Sequence, residues 1–141
     1  MIKRFLLLGL IISLAILVIG CTPTPKANLT VLSLDPPDVN CGIVGASVLC
    51  TTTVTFTVAN IGTVDAGPFK VLVRADPGLA QQGTLNVSGL AAGATITLTI
   101  PLPPGGNCFN PDCTICITVD SDNEVIESNE GDNYSCETTI G

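Results

Sequence analysis

Histidine and tryptophan are both absent from this 141-residue chain, and only five of its residues are basic. Without histidine the chain lacks the commonest general base, the usual partner of a nucleophilic serine or cysteine, and the commonest zinc ligand. Twelve acidic residues give a net charge of −7, which argues against nucleic-acid binding because such binding needs a basic face. These absences predict a protein that is not an enzyme and has no nucleic-acid partner.

The residues that are abundant point to a small folded β domain. Hydrophobic residues make up 46% of the chain and charged residues only 12%, which excludes a disordered protein. Aromatic residues are scarce, at 4%, whereas threonine, valine, glycine and proline are common. This composition favours short strands joined by turns, and the length fits one domain after a leader segment.

Residues 1–20 have the pattern of an export signal. Lys3 and Arg4 precede Phe5–Gly20, an uncharged apolar run of sixteen residues. A membrane-spanning helix needs about 20 apolar residues, so a cleaved signal peptide fits better than its alternative, an uncleaved signal anchor.

The apolar run ends in Leu17-Val18-Ile19-Gly20-Cys21, which resembles the lipobox of bacterial lipoproteins. The resemblance implies that Cys21 is acylated and becomes the first mature residue, and its acyl chains suffice for stable membrane anchoring. Thr22 stands where an inner-membrane retention signal would place aspartate. We therefore expect an exported protein that is lipid-anchored to the cell envelope, at the outer membrane or cell surface. Residues 21–28 would form an extended tether of about 20 Å.

Residues 29–141 show the period-two alternation of β-strands and are expected to form one domain. Four runs alternate clearly, and their apolar members are Val54, Phe56 and Val58; Phe69, Val71 and Val73; Ile96, Leu98 and Ile100; and Ile115, Ile117 and Val119. Weaker runs lie at 29–34, 85–87 and 134–140, and turn-forming residues separate the runs. Seven short strands without a helical period predict an all-β fold, a seven-stranded antiparallel immunoglobulin-like β-sandwich.

Three stretches of the domain resemble CARDB, the immunoglobulin-like module named for cell-adhesion-related proteins of bacteria. They are Val54–Phe69, Ser88–Ala94 and Val119–Asn133, in the order of the family, and the similarity spans about 28–139. The resemblance implies a non-catalytic surface module that mediates adhesion or contact with a protein or a surface polymer. The alternatives are a calcium-dependent binding module that uses the acidic turn 120–133 and a purely structural envelope lipoprotein, because a fold alone does not fix a function.

Apart from Cys21, the chain has six cysteines, an even number that predicts three disulfides in a small exported domain: Cys41, Cys50, Cys108, Cys113, Cys116 and Cys136. Cys116 and Cys136 lie on the last two strands, and pairing them places Thr118 opposite Tyr134. The other four allow local pairing, Cys41–Cys50 with Cys108–Cys113. The alternative is a pair of longer bridges, Cys50–Cys113 with Cys41–Cys108. Local pairing is slightly favoured.

The spacing Cys113-Thr114-Ile115-Cys116 is also that of a thiol-disulfide redox motif. Such motifs need a thiol of lowered pKa at a helix N-terminus, but this one runs into an alternating strand, where residues three apart point to opposite faces. A cysteine-ligated zinc site is equally disfavoured, because an oxidising compartment favours disulfides over thiolate ligands. We therefore expect structural disulfides.

Residues 120–133 carry six carboxylates: Asp120, Asp122, Glu124, Glu127, Glu130 and Asp132. Oxygen-rich clusters suit calcium, and the candidate ligands are Asp120, Asp122, Glu127, Glu130 and Asp132. The spacing is not that of an EF-hand, because Val125 replaces the glycine and Gly131 the closing glutamate. The alternative is a solvated hairpin whose side chains cap their own backbone, with no cofactor.

Paired carboxylates are also the catalytic groups of glycoside hydrolases, but the chain has no tryptophan to stack on a sugar, and a domain of this size is not expected to form a deep cleft. We therefore do not expect this activity.

The strand order of the immunoglobulin-like fold also predicts an orientation. The start of the chain lies at the same end of such a sandwich as the acidic turn, whereas the cysteine-bearing loops lie at the opposite end. With a short tether, the acidic turn would face the membrane and the cysteine-bearing loops would form the outer tip.

Overall fold

The computed structural model describes residues 24–76, 81–104 and 112–140. These contain eight strands: β1 (Leu29–Leu34), β2 (Asp38–Val44), β3 (Ser47–Asn60), β4 (Phe69–Ala75), β5 (Gln82–Val87), β6 (Thr95–Pro101), β7 (Asp112–Thr118) and β8 (Tyr134–Ile140). Within these ranges there is no helix long and apolar enough to cross a membrane. The leader 1–20, Cys21 and Cys108 lie outside the described residues.

The strands form two antiparallel sheets. In the first, β3 is the centre: β1 pairs with its second half, β2 with its first half, and β6 with Thr53–Ala59. In the second, the order is β5-β4-β7-β8. This arrangement confirms the predicted antiparallel β-sandwich.

The core lies between the sheets and follows the predicted alternation. From β3 it takes Val54, Phe56 and Val58, from β4 Phe69, Val71 and Val73, and from β7 Ile115 and Ile117, all at most 1% exposed. Burying each such side chain stabilises the fold by about 1.5–3 kcal/mol. From β6, Ile100 is buried, whereas Ile96 and Leu98 are partly buried at the edge of the core.

The described residues form eight strands, one more than the seven expected. The additional strand, β2, lies where a cysteine-bearing loop was expected, and it forms a hairpin with β3 through the two-residue turn Gly45-Ala46. Gly45 has φ 65°, a value that glycine adopts without strain and that the first central residue of a hairpin turn of type II′ requires. Because neither face of β2 is buried, its sequence has no alternation that could reveal it.

Two disulfides join strands side by side. Cys41–Cys50 links β2 to β3, and Cys116–Cys136 links β7 to β8 with Thr118 opposite Tyr134, as expected. Cys113 is also disulfide-bonded. Because Cys50 pairs with Cys41, the alternative of bridges Cys50–Cys113 and Cys41–Cys108 is excluded.

The two ends of the sandwich differ in content. At one end, here called the base, the N-terminal segment 24–28 lies beside the acidic turn 120–133, and Ala27 forms a parallel bridge with Glu127. At the other end, β2 and the first half of β3 form a two-stranded hairpin, here called the tip ribbon (38–52). The predicted placement of the acidic turn beside the start of the chain therefore matches the fold.

Candidate functional site

The N-terminal segment is part of the folded base. Ala27 and Asn28 are both buried. The amide of Ser128 donates to the carbonyl of Ala27 at 2.9 Å, and Lys26 Nζ donates to the carbonyl of Glu127 at 3.2 Å. Lys26 and Ala27, which fall within the expected tether 21–28, are therefore hydrogen-bonded to the acidic turn.

Asn28 ties this segment to the acidic turn. Its Oδ1 accepts hydrogen bonds from the hydroxyl of Ser128 at 2.9 Å and from the amide of Asn129 at 2.8 Å. Its Nδ2 donates to Asp132 Oδ2 at 2.9 Å. One side chain thus satisfies three groups about a hundred residues away in sequence, which fixes the turn against the start of the chain.

Asn60, at the end of β3, is completely buried and uses all of its side-chain hydrogen-bonding capacity. Its Oδ1 accepts from the amides of Asn28 and Gly62, both at 3.1 Å. Its Nδ2 donates to the carbonyls of Val64 and Leu90, both at 2.9 Å. Sequence reasoning treated this residue only as part of a turn.

Three of the predicted calcium ligands come together at the base. Carboxylate oxygens of Asp120, Glu127 and Glu130 all lie within 4.8 Å of one another, and we call these residues the carboxylate cluster. Asp120 and Glu127 are buried, whereas Glu130 is exposed. Three negative charges this close repel one another unless a proton or a cation lies among them.

Asp120 is held by the backbone of its own turn. It has φ 48°, a left-handed conformation that aspartate tolerates better than most residues. Its Oδ1 accepts from the amide of Glu124 at 2.8 Å, and its Oδ2 accepts from the amide of Val125 at 2.9 Å. The capping role expected of the hairpin alternative is therefore real, and it also aims this carboxylate at its two neighbours.

Glu127 is buried, and hydrogen bonds hold its carboxylate in place within the carboxylate cluster. Its oxygens accept hydrogen bonds from the amide of Leu29 and from Asn133 Nδ2, the latter at 2.9 Å. Burial raises the pKa of the Glu127 carboxyl. The two hydrogen bonds lower this pKa, whereas the nearby charges of Glu130 and Asp120 raise it further, and the net direction is upward. Glu130 in turn accepts from the amide of Glu127 at 3.0 Å.

The other two candidates, Asp122 and Asp132, lie outside the carboxylate cluster. Asp122 is exposed and forms an ion pair with Lys70, which raises the pKa of that lysine. Asp132 points one oxygen at Asn28, and its Oδ1 is buried without a hydrogen-bond partner. Asn133 Oδ1 is likewise buried and without a partner. The sequence therefore predicted five calcium ligands, and the fold brings three of them together.

The tip ribbon presents a different chemistry. Ile43 is 81% exposed and Val48 62% exposed, and Val44 and Leu49 are exposed beside them. No charged residue occurs between Asp38 and Asp65. By the strand register, Ile43 and Val48 lie on the same face of the ribbon as the Cys41–Cys50 disulfide, whereas Val44 and Leu49 lie on the opposite face. Exposed, uncharged apolar groups on a two-stranded projection are typical of a surface that contacts another molecule.

The comparison with protein families agrees with the fold and with the motifs. The CARDB family matches residues 26–137, which include both the base and the tip ribbon. The chain belongs to the CARDB family. CARDB domains are non-catalytic immunoglobulin-like modules associated with the cell surface and with adhesion. No curated protein matches the chain.

Solved structures show the same CARDB fold. The crystal structure of a CARDB domain from Pyrococcus furiosus, in complex with di-metal ions, is 21% identical with a TM-score of 0.55, over 84% of this chain and 96% of that one. The solution structure of a domain from Methanosarcina acetivorans, assigned to a cell surface protein, is 24% identical with a TM-score of 0.54, over 82% of this chain and 90% of that one. At these identities the likeness establishes the fold.

Proposed function

We propose that this CARDB protein is a non-catalytic, lipid-anchored module of the cell envelope that mediates adhesion or protein–protein contact through its tip ribbon. The lipobox-like ending at Cys21 supports the anchoring. With the anchor before Lys26 at the base, the ribbon at the opposite end projects away from the membrane. A partner there is a protein or a surface polymer, and the lack of a basic face argues against nucleic acid.

The observation that carries this proposal is the set of exposed apolar side chains on the two faces of the tip ribbon, Ile43 and Val48 on one face and Val44 and Leu49 on the other. Soluble domains rarely keep several large apolar side chains together in water without using them. Ile43, Val44, Val48 and Leu49 lie within seven residues of one hairpin, and the ribbon buries neither face against the sandwich at these positions. The free edge of β2 also offers backbone groups to which a partner strand can pair.

The test compares attachment by cells that display the full-length protein. We expect Ile43→Ser combined with Val48→Ser to abolish attachment or aggregation, since both changes remove exposed apolar surface. Leu32→Ser is the matched control, because Leu32 is 61% exposed but lies on β1, away from the ribbon. Equal attachment by all three proteins, at equal surface amounts, would rule out the ribbon as the contact surface.

A second candidate function, calcium-dependent binding, rests on the carboxylate cluster. Asp120, Glu127 and Glu130 meet within 4.8 Å, and the unpartnered oxygens of Asp132 and Asn133 lie in the same turn. Buried carboxylates and amide oxygens are the donors that calcium prefers, and a cation would offset the burial that raises the pKa of Glu127. The CARDB relative from Pyrococcus furiosus was crystallised with di-metal ions, which supports the same reading.

Calorimetric titration of the oxidised protein with calcium tests this second function. Binding should be lost in Glu130→Gln, which removes a charge from the exposed edge of the carboxylate cluster and keeps an oxygen for the amide of Glu127. Asp122→Asn is the control, since it removes one acidic charge of the same turn outside the cluster. If calcium produces no heat of binding and no change in the melting temperature, the acidic turn is a structural hairpin and not a calcium site.

A further inference from the structure

Three large apolar side chains surround the N-terminal segment at the base. Ile61 is 60% exposed, Val64 41% and Ile126 77%, and together we call them the base patch. A cavity of about 600 Å³ separates the segment 24–27 from Val64 and Ile126, and another of about 530 Å³ separates 24–26 from Ile61. The N-terminal segment thus lies between exposed apolar side chains, with charged residues such as Lys26 and Asp65 also lining the cavities.

The length of chain before this surface limits what can cover it. Cys21 precedes Thr24 by three residues, so the backbone between them spans at most about 11 Å even when fully extended. An α-helix with its side chains is about 10–12 Å across and would fill that whole gap. If Cys21 is anchored in lipid, the nearest neighbour of the base patch is therefore the membrane surface itself.

We propose that the base patch, Ile61, Val64 and Ile126, rests on the membrane in which Cys21 is anchored and so holds the domain upright. This inference depends on the lipid anchoring proposed above and adds the surface that meets the bilayer. Apolar side chains at a membrane interface gain from burial in the headgroup region. Asp65 and Glu124 line the first cavity and Lys26 lines both cavities, which leaves one net negative charge, so the contact suits neutral headgroups better than anionic ones.

Tryptophan fluorescence tests the contact without background, because the chain contains no tryptophan. Ile126→Trp and Ile61→Trp place the reporter in the base patch, and Ile43→Trp places it in the tip ribbon as the control. Each full-length protein is purified from membranes and reconstituted into phosphatidylcholine vesicles with or without brominated acyl chains. Two base positions are used so that a folding defect in one variant does not remove the test.

We expect the emission of both base variants to shift to shorter wavelength and to be quenched by brominated lipid, and the emission of Ile43→Trp to do neither. Equal behaviour of base and tip reporters in a protein whose mass shows acylation would overturn the inference and leave the anchoring intact. A mass without acyl chains would overturn the anchoring, and the inference with it.

Discussion

The base and the tip of this sandwich are stabilised by different interactions. At the base, buried polar side chains form a hydrogen-bond network, in which Asn28 and Asn60 satisfy backbone groups of three separate segments. At the tip, no side chain of the ribbon between residues 40 and 49 is buried, and the disulfide Cys41–Cys50 joins its strands. Six of the eight acids in the last third of the chain lie in the acidic turn at the base, whereas the ribbon beyond Asp38 carries no charge.

This difference separates two tasks within one small domain. A network of buried hydrogen bonds is cooperative and rigid, which suits the end at which the chain leaves the domain. A disulfide-closed ribbon keeps its shape without a core of its own, so its apolar side chains remain free for a partner. The comparison predicts that perturbing the base weakens the whole domain, whereas perturbing the tip acts locally.

The largest effect is expected from Asn60→Ala. The change removes the hydrogen-bond partner of the amides of Asn28 and Gly62 and of the carbonyl of Val64. It also removes one of the two donors to the carbonyl of Leu90, which keeps the amide of Ala66. Leaving a buried polar group unpaired costs about 1–3 kcal/mol, so we expect a loss of roughly 4 kcal/mol in the free energy of unfolding in urea. Asn86→Ala, at an exposed position of β5, is the control and should change it by less than about 0.5 kcal/mol. A similar small loss in both variants would contradict a base held by this network.

A smaller and local effect is expected from Cys41→Ala combined with Cys50→Ala. Closing a loop of this length contributes about 3 kcal/mol, so the amides of β2 should exchange their hydrogens about 100-fold faster. The amides of Val54 and Val58 in the core half of β3 should keep their protection. Loss of protection along all of β3 would show that the ribbon and the core form one cooperative unit.

The smallest effect concerns pH. Because the folded-state pKa of Glu127 lies above its unfolded value, its contribution to stability is fully present below the unfolded pKa and is lost as pH rises through the folded pKa. In the presence of a chelator, the free energy of unfolding should therefore decline over this interval in the wild type, and the decline should be weaker in Glu127→Gln. Identical pH profiles, obtained from urea unfolding at each pH, would count against a buried carboxyl with a raised pKa.

The pattern of the sequence was sufficient for the parts of the fold that bury one face. Alternation located the inward side chains of β3, β4 and β7, and pairing Cys116 with Cys136 gave the register of Thr118 and Tyr134. β2 was not predicted, because a strand that is exposed on both faces shows no alternation of apolar and polar residues. Its turn, Gly45-Ala46, was the available signal.

The candidate site was less predictable, because it depends on contacts far apart in sequence. Asn60 follows the inward-facing Val54, Phe56 and Val58 of β3 at the same two-residue spacing, so its burial could have been predicted from the sequence. Nothing local indicated that Asn28 would contact residues about a hundred positions away. Within the acidic turn, the backbone turns at Asp120 and Asn123, which have positive φ, and spacing alone could not separate Asp122 from the carboxylate cluster.

Photo-crosslinking in intact cells tests the division between the two ends most directly. A photoreactive amino acid replaces Ile43 in the tip ribbon in one protein and Ile126 in the base patch in another. We expect a discrete protein adduct from position 43 and only lipid adducts from position 126. A protein adduct from position 126 with none from position 43 would contradict the account and reverse the assignment of the two ends.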